Sequence, residues 1–260
     1  MNVPGKSILQ AENLSVYYGR TRGCEAVDFD VYPGEVLGIV GESGSGKSTL
    51  LKSLAAQLSP DDGTVLYRNR QDEVADLYRM SEAQRRFLMR TDWAFIHQNA
   101  RDGLRMNVSA GANVSERLMA IGRRHYGEIR ASATDWLQRV EVDTARLDDL
   151  PWTFSGGMQQ RLQIARNLVT GPRLAFMDEP TGGLDVSVQA RLLDLIRSLV
   201  TDLGLAVVLV THDLAVARLL AHRLMVMKQG RVVETGLTDQ VLDDPQHPYT
   251  QLLVSSILHT

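Results

Sequence analysis

A glycine-rich loop joins an apolar run to a helix-forming segment near the start of the chain. The loop reads Gly41-Glu42-Ser43-Gly44-Ser45-Gly46-Lys47-Ser48-Thr49 and matches the G-x-x-x-x-G-K-[ST] pattern. The run 36–40 before it has the composition of a buried parallel strand, and the pattern after it predicts a helix over 49–58. An ordinary glycine turn is a poor alternative, because the loop lies between a strand and a helix.

The residue types in this loop predict phosphate binding. Glycines let the backbone approach phosphates closely, with several N–H groups pointing inward. In such a loop Lys47 reaches the β- and γ-phosphates and the Ser48 hydroxyl ligates Mg²⁺. The following helix directs its positive end toward the anion.

Two later apolar runs, 174–177 and 206–210, repeat the strand, loop and helix order. This repetition predicts an α/β fold with a parallel sheet, whose sites lie at the carboxyl ends of the strands. Residues 108–140 have a helical pattern, and Ser81-Glu82-Ala83-Gln84 is typical of a helix N-terminus. We therefore expect one domain over 1–260, with a core lobe at about 1–98 and 166–260 and a helical lobe at about 99–165.

A pair of carboxylates ends the run at 174–177. Asp178 is placed to hold Mg²⁺ directly or through water. Glu179 is placed to orient or deprotonate an attacking water. A solvated acidic turn is the plain alternative, and the phosphate loop upstream makes the catalytic interpretation stronger.

Composition limits the ligands and the cellular compartment that we expect for the protein. The 260 residues carry a net charge of −3, which argues against a general nucleic-acid binder. Cys24 is the sole cysteine, so no internal disulfide forms and a reducing cytoplasm fits best. The N-terminal residues lack the apolar stretch of a secretion signal. No apolar run is long enough to span a bilayer, so another chain supplies any pore.

Together these motifs resemble the ATP-binding cassette (ABC) ATPases over nearly the whole chain. The resemblance implies a P-loop NTPase with a RecA-like parallel core sheet, an antiparallel β subdomain and an inserted helical lobe. It implies ATP and Mg²⁺ as ligands. The residues that match the family's nucleotide contacts, beyond the loop 41–49, are Tyr18 (adenine stacking, with Tyr17 as an alternative), Gln98 (Mg²⁺ sensing), Asp185 (the opposite subunit) and His212 (the γ-phosphate).

The segment Phe154-Ser155-Gly156-Gly157-Met158-Gln159-Gln160-Arg161 resembles the family's signature motif. In that family it serves the phosphate loop of another subunit, which implies a homodimer around two ATP. Ser155, Gly156 and Gly157 open a helix, so N–H groups and a hydroxyl are expected to face outward. Phe154 and Met158 depart from the usual leucine and glutamine.

Two branches of the family remain open. The C-terminal segment 244–253 resembles oligopeptide, dipeptide and nickel importer ATPases, which act on membrane permease subunits. Segments 97–105, 123–131 and 179–185 instead resemble the ATP-binding subunits of bacterial carbon–phosphorus lyase systems, which degrade phosphonates. That second resemblance implies docking onto soluble lyase core subunits, with no nucleic acid and no membrane span of its own.

Overall fold

The computed structural model describes residues 5–256, so the first four residues of the N-terminal segment lie outside the described part. The chain divides into two compact units. Of the described residues, 5–85 and 204–256 belong to the first unit and 86–203 to the second.

Strands and helices alternate through most of the chain. The strands are β1 (Leu9–Tyr18), β2 (Thr21–Val31), β3 (Val36–Val40), β4 (Asp62–Arg68), β5 (Val74–Asp76), β6 (Trp93–Ile96), β7 (Leu174–Asp178), β8 (Ala206–Val210), β9 (Arg223–Lys228) and β10 (Arg231–Leu237). The α-helices are α1 (Lys47–Leu54), α2 (Glu82–Thr91), α3 (Ala100–Gly103), α4 (Ala110–Ala120), α5 (Tyr126–Arg139), α6 (Gly156–Leu168), α7 (Val186–Leu203), α8 (Leu214–Leu220), α9 (Thr238–Asp243) and α10 (Pro248–Ser255).

Within the first unit, two groups of strands differ in direction. Strands β2, β1, β4 and β5 are neighbours in that order and pair antiparallel. Strands β10, β9, β3 and β8 form the other group, in which β3 pairs parallel with both β8 and β9. Every residue of β3 and β8 is buried, as expected for parallel strands covered on both faces.

The second unit combines two parallel strands with the end of α2 and the five helices α3 to α7. β6 pairs with β7 in the register Trp93↔Leu174 to Ile96↔Met177. The rings of Trp93 and Phe176 meet edge to face, with centroids 5.5 Å apart, a favoured aromatic geometry. Helices α4 and α5 occupy the segment in which the sequence predicts helix.

The helix after the phosphate loop is shorter than predicted. It begins at Lys47 and ends at Leu54, four residues before the predicted end at Leu58. Ala56 has φ 57°, and the N–H groups of Gln57 and Leu58 both donate to the carbonyl of Lys52, at 2.9 and 3.2 Å. These bonds close the helix end before Ser59 and Pro60.

The predicted start of α2 is confirmed in detail. The Ser81 N–H donates to the Gln84 side-chain oxygen at 2.9 Å, and the Gln84 N–H donates to the Ser81 hydroxyl at 3.3 Å. This reciprocal pair is a capping box. Across residues 5–256, none of the helices combines the length and apolar character that crossing a membrane requires. The division into a core lobe and a helical lobe stays a prediction.

Candidate functional site

The phosphate loop in the first unit has a backbone that only glycine tolerates at several positions. Gly44 and Gly46 have φ 79° and 102°. A Cβ on Gly46 would lie 2.0 Å from the carbonyl oxygen of Gly23, whereas a Cβ on Gly44 would meet no heavy atom within 4 Å. Close packing therefore requires glycine at Gly46, and backbone conformation requires it at Gly44.

Lys47 lies inside this loop rather than on its surface. Only 6% of the residue is exposed, and its Nζ donates to the carbonyl oxygens of Gly41 and Glu42, both at 2.8 Å. A buried ammonium is tolerated only when it is surrounded by acceptors. The loop thus holds a fixed positive charge at the position where the sequence predicts phosphate.

Two contacts from distant parts of the first unit hold the loop. The Gly230 N–H donates to the Ser45 carbonyl at 2.9 Å. The Glu42 N–H donates to the Tyr249 hydroxyl at 3.1 Å. Neither contact is predictable from the sequence, because no local pattern links the turn after β9, or the helix α10, to this loop.

The start of α1 is suited to an anion. Its first residues are Lys47 and Ser48, and its N-cap residue Gly46 makes no side-chain capping bond. The N-terminal end of a helix carries a partial positive charge that favours an anion. The predicted contact residues Ser43, Gly44 and Ser48 are exposed, and Thr49 is half-buried.

The two candidate adenine-stacking tyrosines differ in their surroundings. The Tyr17 hydroxyl donates to Glu25 at 3.2 Å. Partial burial raises the pKa of Tyr17, and the hydrogen bond to Glu25 raises it further. The Tyr18 hydroxyl lies 3.4 Å from the Thr49 hydroxyl, and its residue is 53% exposed. Tyr18 therefore adjoins the helix that follows the phosphate loop, with ring surface left open for stacking.

His212 lies at the same edge of the first unit as the loop. It follows β8, and the β3–β8 register pairs Ile39 with Val210. The next residue, Asp213, caps α8 by accepting from the N–H of Ala215 at 2.8 Å. His212 is exposed between a strand end and a helix cap, so its backbone position is tightly defined.

In the second unit, Gln98, Asp178 and Glu179 lie at the ends of neighbouring strands. The parallel β6–β7 register pairs Ile96 with Met177, which places these three residues at one edge. Glu179 has φ 45°, an uncommon backbone conformation for a residue with a side chain. A Cβ on Gly182 would lie 3.1 Å from the Gln98 side-chain nitrogen and 3.2 Å from the Glu179 carbonyl.

Asp185 begins α7, where its carbonyl accepts from the N–H groups of Val188 and Gln189 at 2.9 and 2.8 Å. Its residue is exposed. Gly182 and Gly183 stand just before it. Gly183 has φ 75°, so this glycine is required by backbone conformation, whereas Gly182 gives the Gln98 amide room.

The signature segment begins α6 as predicted, but fewer of its groups face outward than the sequence predicts. Ser155 is the exposed N-cap residue, and its hydroxyl accepts from the Met158 N–H at 3.3 Å. Gly157 is buried, and a Cβ there would lie 2.5 Å from the Val188 side chain. Gly156 is exposed beside Ser155. The outward-facing part is therefore Ser155 and Gly156, and Gly157 packs on α7.

Both departures from the usual signature contact one side chain. The Arg146 guanidinium lies 4.4 Å from the centroid of the Phe154 ring and 3.7 Å from the Met158 sulfur. Its Nε also pairs with Asp149 at 2.7 Å. An aromatic ring attracts a cation more strongly than a leucine side chain does. Phe154 and Met158 together therefore hold Arg146 beside the signature segment.

The basic segment at 123–125 has capping roles. The Arg124 guanidinium donates to the Met119 carbonyl at 2.8 Å near the end of α4. His125 caps α5 by accepting from the Glu128 N–H at 3.3 Å. Cations at a helix C-terminus are stabilising. The sequence motif gives no sign of these caps.

The proposed magnesium ligands fit the metal by their chemistry. Ser48, Gln98 and Asp178 provide hydroxyl, amide and carboxylate oxygens, the hard donors that Mg²⁺ takes. Ser48 is exposed, as is Gln98, and Asp178 is partly exposed. Mg²⁺ is usually held by one or two protein ligands together with phosphate and water, and each of these residues offers an oxygen of a suitable type.

Comparison with known proteins identifies the family. The model of the family described as ABC transporter matches residues 24–182. The phosphonates utilization ATP-binding protein PhnK of Escherichia coli K12 is 67% identical over 258 residues, covering 99% of each chain. The dipeptide transport ATP-binding protein DppD of the same species is 37% identical over 258 residues, covering 96% of this chain and 78% of that protein.

Solved structures agree with this result. CbiO1 of Clostridium perfringens, part of an ABC transporter complex, superposes with a TM-score of 0.80 at 27% identity, covering 92% of both chains. The ATP-binding cassette MJ0796, solved as a dimer with ADP and phosphate, gives 0.79 at 28% identity, covering 88% of this chain and 98% of that one. The predicted α/β P-loop NTPase fold is confirmed, and the chain belongs to the ABC transporter family as an ATP-binding ABC ATPase.

Proposed function

We propose that this ATPase is a subunit of a soluble, cytoplasmic carbon–phosphorus lyase complex that degrades phosphonates. The observation that supports this most strongly is the 67% identity, over 99% of both chains, to a relative named for phosphonates utilization. The dipeptide transport relative is much more distant, at 37%. ATP-driven closing and opening would remodel the lyase core, to admit substrate or release product.

Each proposed ATP site has two halves from two subunits. The loop at 41–49 holds the phosphates through Lys47, Tyr18 stacks on adenine, and Ser48, Gln98 and Asp178 hold Mg²⁺. Bound there, Mg²⁺ would supply positive charge against the charge that develops on the phosphoryl group during hydrolysis.

The remaining residues have roles in hydrolysis and closure. Glu179 orients or deprotonates the water, and His212 contacts the γ-phosphate. Ser155, Gly156 and Gly157 of the second subunit close over the nucleotide, and Asp185 contacts that subunit. The dimeric state of the MJ0796 cassette supports this arrangement.

Purification tests the proposal. The tagged protein would be isolated from cells grown on a phosphonate as the sole phosphorus source, and bound proteins identified by mass spectrometry. We expect soluble lyase subunits to copurify. Recovery of integral membrane permease subunits without lyase proteins would overturn the proposal and favour the importer alternative, which the 37% identity to a dipeptide transport protein supports.

A genetic test separates the same two functions. A deletion strain should fail to grow on phosphonate and grow normally on phosphate. The wild-type gene should restore growth on phosphonate, whereas a Glu179→Gln gene should not. Normal growth of the deletion strain on phosphonate, together with lost peptide uptake, would assign the protein to an importer.

A further inference from the structure

Three buried amides line one face of the signature helix α6. Gln160, Gln163 and Asn167 are 3%, 0% and 6% exposed. Spacings of three and four residues place them on the same side of a helix. Buried amides are costly unless each is hydrogen-bonded, so the partners of these side chains are informative.

The backbone partner of Gln163 is His97, which lies between the end of β6 and Gln98. The His97 N–H donates to the Gln163 side-chain oxygen at 2.7 Å, and the Gln163 side-chain nitrogen donates to the His97 carbonyl at 3.1 Å. One side-chain amide therefore pairs with both backbone groups of His97.

Two further bonds reinforce this contact. The Gln160 side-chain nitrogen donates to the same His97 carbonyl at 3.1 Å, and its oxygen accepts from Gln163 at 3.1 Å. The Asn167 side-chain nitrogen donates to the Gln163 carbonyl at 2.9 Å. The Gln163 amide is thus held by Gln160, whereas Asn167 bonds only the Gln163 backbone.

Gln163 also contacts the far end of the segment that contains Gln98. A Cβ on Gly103, the last residue of α3, would lie 2.4 Å from the Gln163 side-chain oxygen and 2.8 Å from its amide carbon. One side chain therefore touches both His97 and Gly103. The segment 97–103 cannot move far relative to α6 unless this amide moves.

We propose that Gln163 is a positioning residue that couples the signature helix to Gln98. The signature begins α6 at Ser155, two turns before Gln163, and a helix of this length moves as a unit. A displacement of the signature on dimer closure would reach His97 through Gln163, and so Gln98, whose amide lies against Gly182. This inference rests on the proposed role of Gln98 in hydrolysis.

A Gln163→Met variant tests the coupling, because methionine has similar length but no amide. We expect kcat to fall about 10-fold, the order of effect of leaving buried backbone groups unpaired. The Kd for ATP should stay within about twofold, since the phosphate loop is unchanged. Gly103→Ala provides a second variant that displaces the same amide from the opposite side, without altering α6.

The decisive measurement repeats both variants in a Gln98→Ala background. If Gln163 acts through Gln98, the further loss of kcat should largely vanish there. Gln159→Met is the matched control. Gln159 is also a buried glutamine of α6, but its amide donates to the carbonyls of Pro151 and Phe154, both at 3.0 Å. Its effect on kcat should be the same in both backgrounds.

The outcomes separate the inference from the assumption beneath it. Equal losses for Gln163→Met in both backgrounds, with Gln98→Ala itself impaired, would overturn the positioning role. A normal kcat for Gln98→Ala would instead overturn the role of Gln98. Melting temperatures of all variants would show whether any loss of kcat reflects a smaller folded fraction.

Discussion

The hydroxyl of Tyr249 accepts a hydrogen bond from the backbone N–H of Glu42 across 3.1 Å. Tyr249 belongs to α10, near the C-terminus, and is buried. The Lys228 Nζ lies 4.6 Å from the centroid of its ring. The C-terminal helix therefore fixes the backbone of the phosphate loop at the residue next to Gly41.

Replacing this hydroxyl should weaken nucleotide binding. Tyr249→Phe keeps the ring and its packing but leaves the Glu42 N–H without this acceptor. Because a neutral hydrogen bond contributes about 0.5–1.5 kcal/mol, we expect the Kd for ATP to rise roughly 2- to 10-fold. Titration with a fluorescent ATP analogue would measure it.

Tyr126→Phe is the control for this experiment, since Tyr126 is 73% exposed and lies in the second unit. Its Kd for ATP should match the wild type. An unchanged Kd in Tyr249→Phe would show that the loop keeps its conformation without the bond to this hydroxyl.

The phosphate loop and its contact with Tyr249 differ in how far the sequence predicts them. The phosphate loop was predictable because its strand, glycines, lysine and helix are contiguous, and each obeys local rules. The contact to Tyr249 joins residues that are 207 positions apart. No periodicity encodes such a pair, although the segment 244–253, which contains Tyr249, resembles the importer branch of the family.

The signature segment also has features that the sequence predicts and features that it does not. Its helix start was predictable from Ser155 and two glycines. The burial of Gly157 against Val188 was not, because it depends on how α6 and α7 pack. Gln163 carried no signal either, since a glutamine in an amphipathic helix is ordinarily assigned to the solvent face.

Glu179→Gln should separate binding from hydrolysis. The amide cannot accept a proton from the water, so hydrolysis should fall by at least about 100-fold, the scale of general base catalysis. ATP binding should persist, and trapped closure should favour dimers. Size-exclusion chromatography with light scattering would report this. Identical monomers with and without ATP would count against the proposed closure.

Ser155→Arg should prevent dimer formation while leaving ATP binding to the phosphate loop intact. Ser155 is exposed at the start of α6, and a long side chain there would obstruct an approaching subunit. The substitution also removes the cap on the Met158 N–H, which costs about 1 kcal/mol. Tested in the Glu179→Gln background, the variant should remain monomeric with ATP.

Ser155→Asp separates these two effects, because aspartate retains a capping oxygen. Its melting temperature should stay near that of the wild type, yet its carboxylate should repel phosphate and also block dimer formation. Loss of ATP binding in either variant would mean that the two halves of the site are wrongly assigned.

Cys24 provides a pH-dependent prediction. It is fully buried in β2, and burial raises the pKa of its thiol to about 11, above an unfolded value of about 8.5 to 9. The folded protein thus favours the neutral thiol. This contribution to stability is complete below about pH 8.5 and is lost as pH rises toward 11.

Urea unfolding at pH 8 and pH 10.5, for wild type and Cys24→Ala, measures this effect. The wild type should lose about 2 kcal/mol more than the variant between these two pH values, because its thiol ionises only on unfolding. Alanine removes some packing, but that cost is independent of pH and cancels in the comparison. Lysine and tyrosine ionisation is common to both proteins. Parallel pH profiles for the two proteins would refute the raised pKa, and fast labelling of the native thiol by a disulfide reagent at pH 8 would refute its burial.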